Sequence, residues 1–296
     1  MKYINFLLFL LVSFSLKAQN QQKYLTTDNR FSVYDNKKWG IIDSLDIMII
    51  PFEYERIEFA NNLFILTKNK KVGLVDLNNN EILPTNYYHI YPRKNNRFIL
   101  LSPEKKAGVI DNKGNIIISN KFKYIGDLHL ADDFYLVRDE NNLEGIFDFE
   151  GIEILPVEYI FYNNDKAIIF GAKGKQAYLF DLNNLDNTIT LDKEIELVFT
   201  VRHYSDGEQF YQIIKKNNKY GIINFKNEIV IPLLYEEIKS TNRWNYFFIK
   251  KNDKYGIIKI DGEIVVEPIY DKINLHKNYV SLLQADKVKD MFWFPQ

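Results

Sequence analysis

The sequence predicts an all-β chain: a tandem array of about seven three-stranded antiparallel meanders, each roughly 35 residues long. Three observations carry this. First, two segments nearly repeat one another, KYGIINFKNEIVIPLLYEEI at 219–238 and KYGIIKIDGEIVVEPIYDKI at 254–273. Second, the composition favours strands, with 46% hydrophobic residues, 22 Phe and 20 Tyr. Third, short apolar runs alternate with Asn-, Asp- and Gly-containing turns along nearly the whole chain.

The array begins after a separable N-terminus. Lys2, an apolar run from Tyr3 to Leu16 and Lys17-Ala18-Gln19 have the layout of a secretory signal peptide with cleavage near Ala18. The run falls short of the 18–20 residues or so that a spanning helix needs. Residues 1–18 are therefore expected to be removed, 19–30 to form a short linker, and 31–296 to hold the repeats. The mature chain is expected to be secreted or periplasmic, with no transmembrane segment. It has no Cys, so its folding rests on its core.

The copies align on a glycine: KWGIID, KVGLVD, KAGVID, LEGIFD, KYGIIN and KYGIIK place it at Gly40, Gly73, Gly108, Gly145, Gly221 and Gly256. The gap between Gly145 and Gly221 is about two periods, and KQAYLFDLNN fills it with Tyr178 in the glycine's place. Eleven residues after the glycine stand Pro51, Pro84, Pro156 and Pro232; fourteen after it an aromatic always stands, Tyr54, Tyr87, Phe122, Tyr159, Tyr235 and Tyr270. Seventeen after it come Ile57, Ile90, Ile125, Ile238 and Ile273, and Ile195 in the degenerate copy.

Within a copy, a run such as YQII (211–214) forms one strand, and a polar turn such as KNNK (216–219) reverses the chain into the glycine strand. A second turn, NKGN at 112–115 or DG at 261–262, leads into a strand such as EIVI (228–231), expected to end at the proline. The glycine marks a bulge or close backbone approach. The aromatic and the isoleucine pack one meander on the next. Residues 279–296 read as a half copy capping the array, and the step into the sixth copy is lengthened near 201–209. An open twisted solenoid is favoured over a closed propeller-like ring, because propeller blades carry four strands and about 40–45 residues.

The pattern K-[W/Y]-G-[I/V]-[I/V]-D, a turn, then E-I-[I/V]-x-P-x-x-Y-x-x-I resembles the WG-repeat family of bacterial proteins over residues 31–290. The family supplies no common catalytic residue, so the resemblance implies a fold rather than an activity.

No G-x-S-x-G, P-loop or G-x-G-x-x-G motif appears. His89, His129, His203 and His276 lack metal-ligand spacing, and Glu53/Glu55 and Glu236/Glu237 are the sort of carboxylate neighbours that chance supplies. No catalytic, cofactor or metal residue is assigned, and no cofactor is called for. A formal charge of −1 offers no field for nucleic acid. Lys215-Lys216 and Lys250-Lys251 read as solvated hairpin tips. Asp43-Ser44-Leu45 resembles a short bacterial O-glycosylation sequon and reads equally as a hairpin turn. Two functions stay open: an exported binding or scaffolding module for a protein or cell-envelope glycan, or an envelope hydrolase-like enzyme with its site on the array axis or in the 201–209 insert.

Overall fold

The computed structural model describes residues 23–27, 29–128, 131–163, 168–203, 209–241, 243 and 245–295; the candidate signal peptide lies outside them. The described residues are almost wholly β-structure, with one short 3-10 turn at Leu185–Asn187. They form five antiparallel sheets of four strands, one of seven and one of three. Two compact units are divided between Asn120 and Lys121. Among the described residues no helix is long and apolar enough to cross a membrane.

Each regular sheet has one strand more than the sequence predicts. The first comprises Lys23–Thr27, Arg30–Asp35, Lys38–Ile42 and Met48–Tyr54 in chain order. Residues 23–27, expected in the linker, are thus its opening strand. The second sheet (56–87), third (89–122), sixth (196–235) and seventh (237–270) repeat this order. The seven-stranded sheet counts as the fourth and fifth, joined by the long strand Glu153–Phe161, which closes the fourth copy and pairs through Ile160 and Phe161 with Ile168–Lys173 of the fifth. The eighth sheet, Lys272–Leu275, Tyr279–Gln284 and Lys287–Trp293, is the three-stranded one and begins earlier than the cap expected at 279.

The extra strand comes from the segment that carries the isoleucine. After the aromatic, a single residue such as Glu55, Tyr88 or Glu236 leads straight into the opening strand of the next sheet. That linking residue donates its N–H to the next sheet's second strand: Glu55 to Thr67, Tyr88 to Leu101, Lys123 to Arg138, Glu236 to Lys250 and Asp271 to Leu283, all at 2.8–2.9 Å. Strands buried on both faces explain the unbroken apolar runs. Phe64 and Leu66 pack toward the first sheet with Ile41, Ile50 and Tyr54, while Leu63 and Ile65 pack with Ile90, Phe98 and Leu100 of the third.

The expected bulge is present at the glycines. Trp39 pairs with Tyr54 and Ile41 with Ile50, so three fourth-strand residues, 51–53, face Gly40 alone. The same shift occurs opposite Gly73, Gly145, Gly221 and Gly256. A Cβ at Gly40, Gly73, Gly108, Gly145 or Gly221 would lie 2.7–2.9 Å from the carbonyl oxygen of Ile50, Leu83, Ile118, Leu155 or Ile231, and at Gly256 it would strike that of Val266. The proline lies inside this bulged stretch instead of ending the strand, because a residue without an N–H costs nothing where the ladder is interrupted.

The fifth copy meets the same steric limit differently. Tyr178 pairs in ordinary register with Thr190 of the short strand Ile189–Thr190, without a bulge. The glycine has moved across the ladder to Gly171, directly opposite Tyr178. There a Cβ would meet Phe161 at 2.8 Å and Phe180 at 3.1 Å. Rings of Tyr159, Phe161, Tyr178 and Phe180 occupy the room, with centroids 5.1–6.2 Å apart.

The recurring aspartate builds the second turn. Oδ1 of Asp43, Asp76, Asp111, Asp148 or Asn224 accepts from the N–H groups two and four residues on, at 2.7–3.0 Å. The residue three after it has positive φ, which selects Asp46, Asn79, Gly114, Gly151 and Asn227. Asp43-Ser44-Leu45 is such a turn, with Ser44 exposed. The first turn is a two-residue hairpin with both φ positive, as at Asn217-Asn218 and Asn252-Asp253.

Two expectations follow. Gly221→Val and Gly256→Val should each cost about 1–3 kcal/mol, the range for overpacking against an unyielding neighbour, read as a lowered urea midpoint; Tyr178→Gly should stabilise nothing. Burial alone would raise the carboxyl of Asp111, but hydrogen bonds from Asn115 and Lys113 outweigh it and hold it below the ordinary Asp range. Its contribution is therefore complete above the unfolded-chain value and is lost as pH falls through the lower folded one. Asp111→Ala should cost about 1 kcal/mol at neutral pH. Asp111→Asn should cost little there, as Asn224 does the same work in the sixth copy, and should show less acid destabilisation in pH-dependent melts.

Candidate functional site

The residue before each glycine pairs with the second strand, and in four copies the two side chains form a cation–ring, ring–ring or ion pair. Lys215 Nζ lies 6.0 Å from the Tyr220 ring centre and Lys250 Nζ 5.7 Å from that of Tyr255. In the first sheet Tyr34 replaces the lysine and packs 5.0 Å from Trp39, with Tyr24 at 6.1 Å. In the fourth, buried Glu144 replaces the aromatic. Its Oε1 takes an ion pair from Arg138 at 2.6 Å, and its Oε2 accepts the Phe161 N–H at 2.9 Å. The glutamate is thus a structural exchange of a cation–ring pair for an ion pair.

The carboxylate neighbours singled out in the sequence are committed to separate structural tasks. Glu53 pairs with Lys68 at 2.8 Å, while Glu55 accepts from the N–H groups of Asn69 and Lys70 in the next hairpin turn. Glu236 does the same for Asn252 and Asp253 at 3.0 and 3.1 Å, whereas Glu237 pairs with Lys239 at 2.6 Å. The Asp253 N–H, with that of Asn252, holds the Glu236 carboxyl below its usual range. Asp271 repeats the device on the Ala285 N–H at 2.8 Å. These linking residues clamp one copy's turn to its neighbour, a role that spacing alone did not disclose.

Neither described histidine side chain gathers ligands. His89 meets Tyr91 edge-on at 4.1 Å, and His276 stacks on Tyr279 with Nε2 2.8 Å from Ser281 Oγ. His129 and the side chain of His203 lie outside the described residues. Among the described residues no group of three His, Asp or Glu could hold a metal ion. The lysine tips are paired: Lys216 with Asp192 and Glu194, Lys250 with Asp253.

The 201–209 insert takes in the facing ends of two eight-residue strands, Glu196–His203 and Gln209–Lys216; its tip, 204–208, lies outside the described residues. Beside them, Val198, Phe199, Ile213, Tyr220, Ile238 and Lys239 line an open cleft of about 410 Å³. It exists because the register shifts between Leu197 and Phe199, leaving Val198 unpaired and both Val198 and Phe199 exposed. The Glu237 hydrogen bond raises the Lys239 ammonium above its ordinary value. Gln212 is fully buried where the second and seventh sheets hold Phe64 and Phe247, and its Oε1 accepts from Thr200 Oγ1. The sequence signalled the insert but not this cleft, since a register shift leaves no residue signature.

Repeated four-stranded meanders with a glycine-dependent bulge define a β-repeat protein. The model of the WG containing repeat matches residues 39–71, 108–142, 220–255 and 255–280. At these four stretches the repeats match the WG-repeat family. No curated protein matches it. Solved structures align only loosely: a eukaryotic initiation factor at 10% identity over 88% of this chain and 89% of that one, with a TM-score of 0.30; Kluyveromyces lactis Hsv2 at 11%, over 70% and 73%, at 0.33; and apo AztD from Citrobacter koseri at 11%, over 83% and 84%, at 0.33. At these scores the likeness carries no argument.

Glu144→Ala should cost about 1–3 kcal/mol, because it strands the half-buried Phe161 N–H and takes the ion-pair partner of Arg138. Urea denaturation of the variant beside the parent chain measures it.

Proposed function

We propose that this chain is an exported, non-catalytic repeat protein that binds or scaffolds a protein or cell-envelope glycan. One observation carries the reading: exposed large apolar side chains recur at one position in four of the copies. Met48, Ile116, Ile229 and Ile264 each open a fourth strand and are 40–70% exposed, with Glu81 and Glu153 in the second and fourth copies. Leu234 and Ile269 recur in the same way five residues later, each 52% exposed. Where they stand on neighbouring repeats, as Ile229 and Leu234 do beside Ile264 and Ile269, such side chains suit a partner gripped at several points. The carboxylate neighbours Glu53/Glu55 and Glu236/Glu237 are engaged in turns and ion pairs.

The competing reading, an envelope hydrolase-like enzyme on the array axis or at the 201–209 insert, draws on the cleft beside Phe199. Photo-crosslinking from Met48, Ile116, Ile229 and Ile264 in envelope extract separates the two. The binding reading expects a shared partner from several of these positions. Ile229→Asp with Ile264→Asp should weaken capture roughly tenfold or more, about 1.4 kcal/mol, without moving the unfolding midpoint. Contacts confined to the cleft, with turnover of the captured material, would establish the enzyme instead.

Export rests on the N-terminal pattern. Mass spectrometry of the secreted or periplasmic protein should find a chain starting near Gln19. The array geometry has a separate measurement: a radius of gyration near that of a compact chain of this length, about 19 Å, marks a closed ring, and a clearly larger one an open array.

A further inference from the structure

Among the described residues the eighth sheet has three strands where the regular copies have four. In regular copies the far edge of the glycine strand is covered by the fourth strand; Lys287–Trp293 pairs with Tyr279–Gln284 and, among the described residues, with nothing on its other side. Val288, Met291 and Trp293 on this edge are 52–62% exposed. Long apolar edges recruit further strands unless blunted by charge or a bulge. The near end is blunted so, by Lys287, Lys289 and the register shift that leaves Lys289 without a partner. The half from Asp290 to Trp293 has no bulge and only one charge.

Beside this half runs a groove of about 330 Å³, walled by Val265, Glu267 and Ile269 of the seventh sheet and by Asp290 and Met291. Asp290 pairs with Leu282 as Gly256 pairs with Ile249, so it stands in the motif glycine's place. Its Cβ excludes a bulged fourth strand like those of the regular copies. A flat strand fits, as Ile189–Thr190 fits beside Tyr178. The groove places two carboxylates, Glu267 and Asp290, together with the hydroxyl of Tyr270, which bonds Asp290.

We propose that the Asp290–Trp293 edge and this groove accept an extended segment of a partner protein as an added, unbulged β-strand, with apolar residues alternating with Lys or Arg that face Glu267 and Asp290. Main-chain pairing would supply affinity, and the two carboxylates the preference for a basic strand. The inference rests on the chain being a binding protein and assigns one partner class to one edge.

Three nonapeptides test it on the full mature chain: alternating valine and lysine, alternating valine and glutamate, and the lysine peptide N-methylated at its central valine. Hydrogen exchange at 290–293 should slow at least tenfold with the lysine peptide and remain unchanged with the other two. Glu267→Lys combined with Asp290→Asn should transfer the protection to the glutamate peptide while the melting midpoint holds. No protection by the lysine peptide, equal protection by all three, or a preference unmoved by the charge change overturns the proposal. Protection in the protein alone that grows with its concentration also overturns it, by assigning the edge to a second copy. Crosslinks from the Met48, Ile116, Ile229 and Ile264 positions read the broader binding function separately, so the two readings can fail independently.

Discussion

The approach of a fourth-strand carbonyl to the motif glycine is the contact around which each copy is organised. With 2.7–2.9 Å between that oxygen and the site of any Cβ, only glycine lets the bulged strand close on its neighbour. The bulge gives the fourth strand two extra residues, so the proline sits where no ladder bond is required. It also returns the strand to register at the aromatic, Tyr54 opposite Trp39 and Tyr235 opposite Tyr220. The spacing from glycine to proline to tyrosine is therefore one geometric fact expressed at three positions.

From the aromatic onward the chain is held by polar groups of low individual worth. A one-residue link leaves no slack, and its N–H bonds the next sheet immediately. Where the link is Glu55, Glu236 or Asp271, its carboxylate also closes a turn of that next sheet. Surface ion pairs contribute little alone. Here they lie over apolar cores in which alternate residues of one strand serve two neighbouring sheets, so a copy's stability depends on the copies packed beside it.

The sequence disclosed the glycine strand, both turns and the strand preceding the glycine, because each has a periodic or turn-specific signature. It hid the opening strand of each sheet. Segments such as RIEFA and HIYPR are short, charged and only half-buried, so they read as connectors. The isoleucine within them was visible, but its sheet was not. Glu144 stands where the motif has an aromatic, and the sequence does not mark its partners, Arg138 and the Phe161 backbone, because they are set by pairing across strands. The cleft beside Phe199 was hidden too, since it follows from a register shift. With four strands, each regular sheet also matches a propeller blade in strand number.

The departures from the motif follow one rule. Where Tyr178 replaces glycine, the fourth strand is two residues long and unbulged, and the glycine has crossed to Gly171. Where Asp290 replaces it, no fourth strand is present among the described residues. Where Glu144 replaces the aromatic but Gly145 stays, the bulge stays as well. The aromatic can be exchanged because its partner is a side chain that can change with it. The glycine cannot, because its neighbour is a backbone oxygen present in every residue, which only rebuilding or losing the strand can remove. A copy without the glycine therefore marks a sheet whose outer edge differs, and in this chain the last such copy borders a groove.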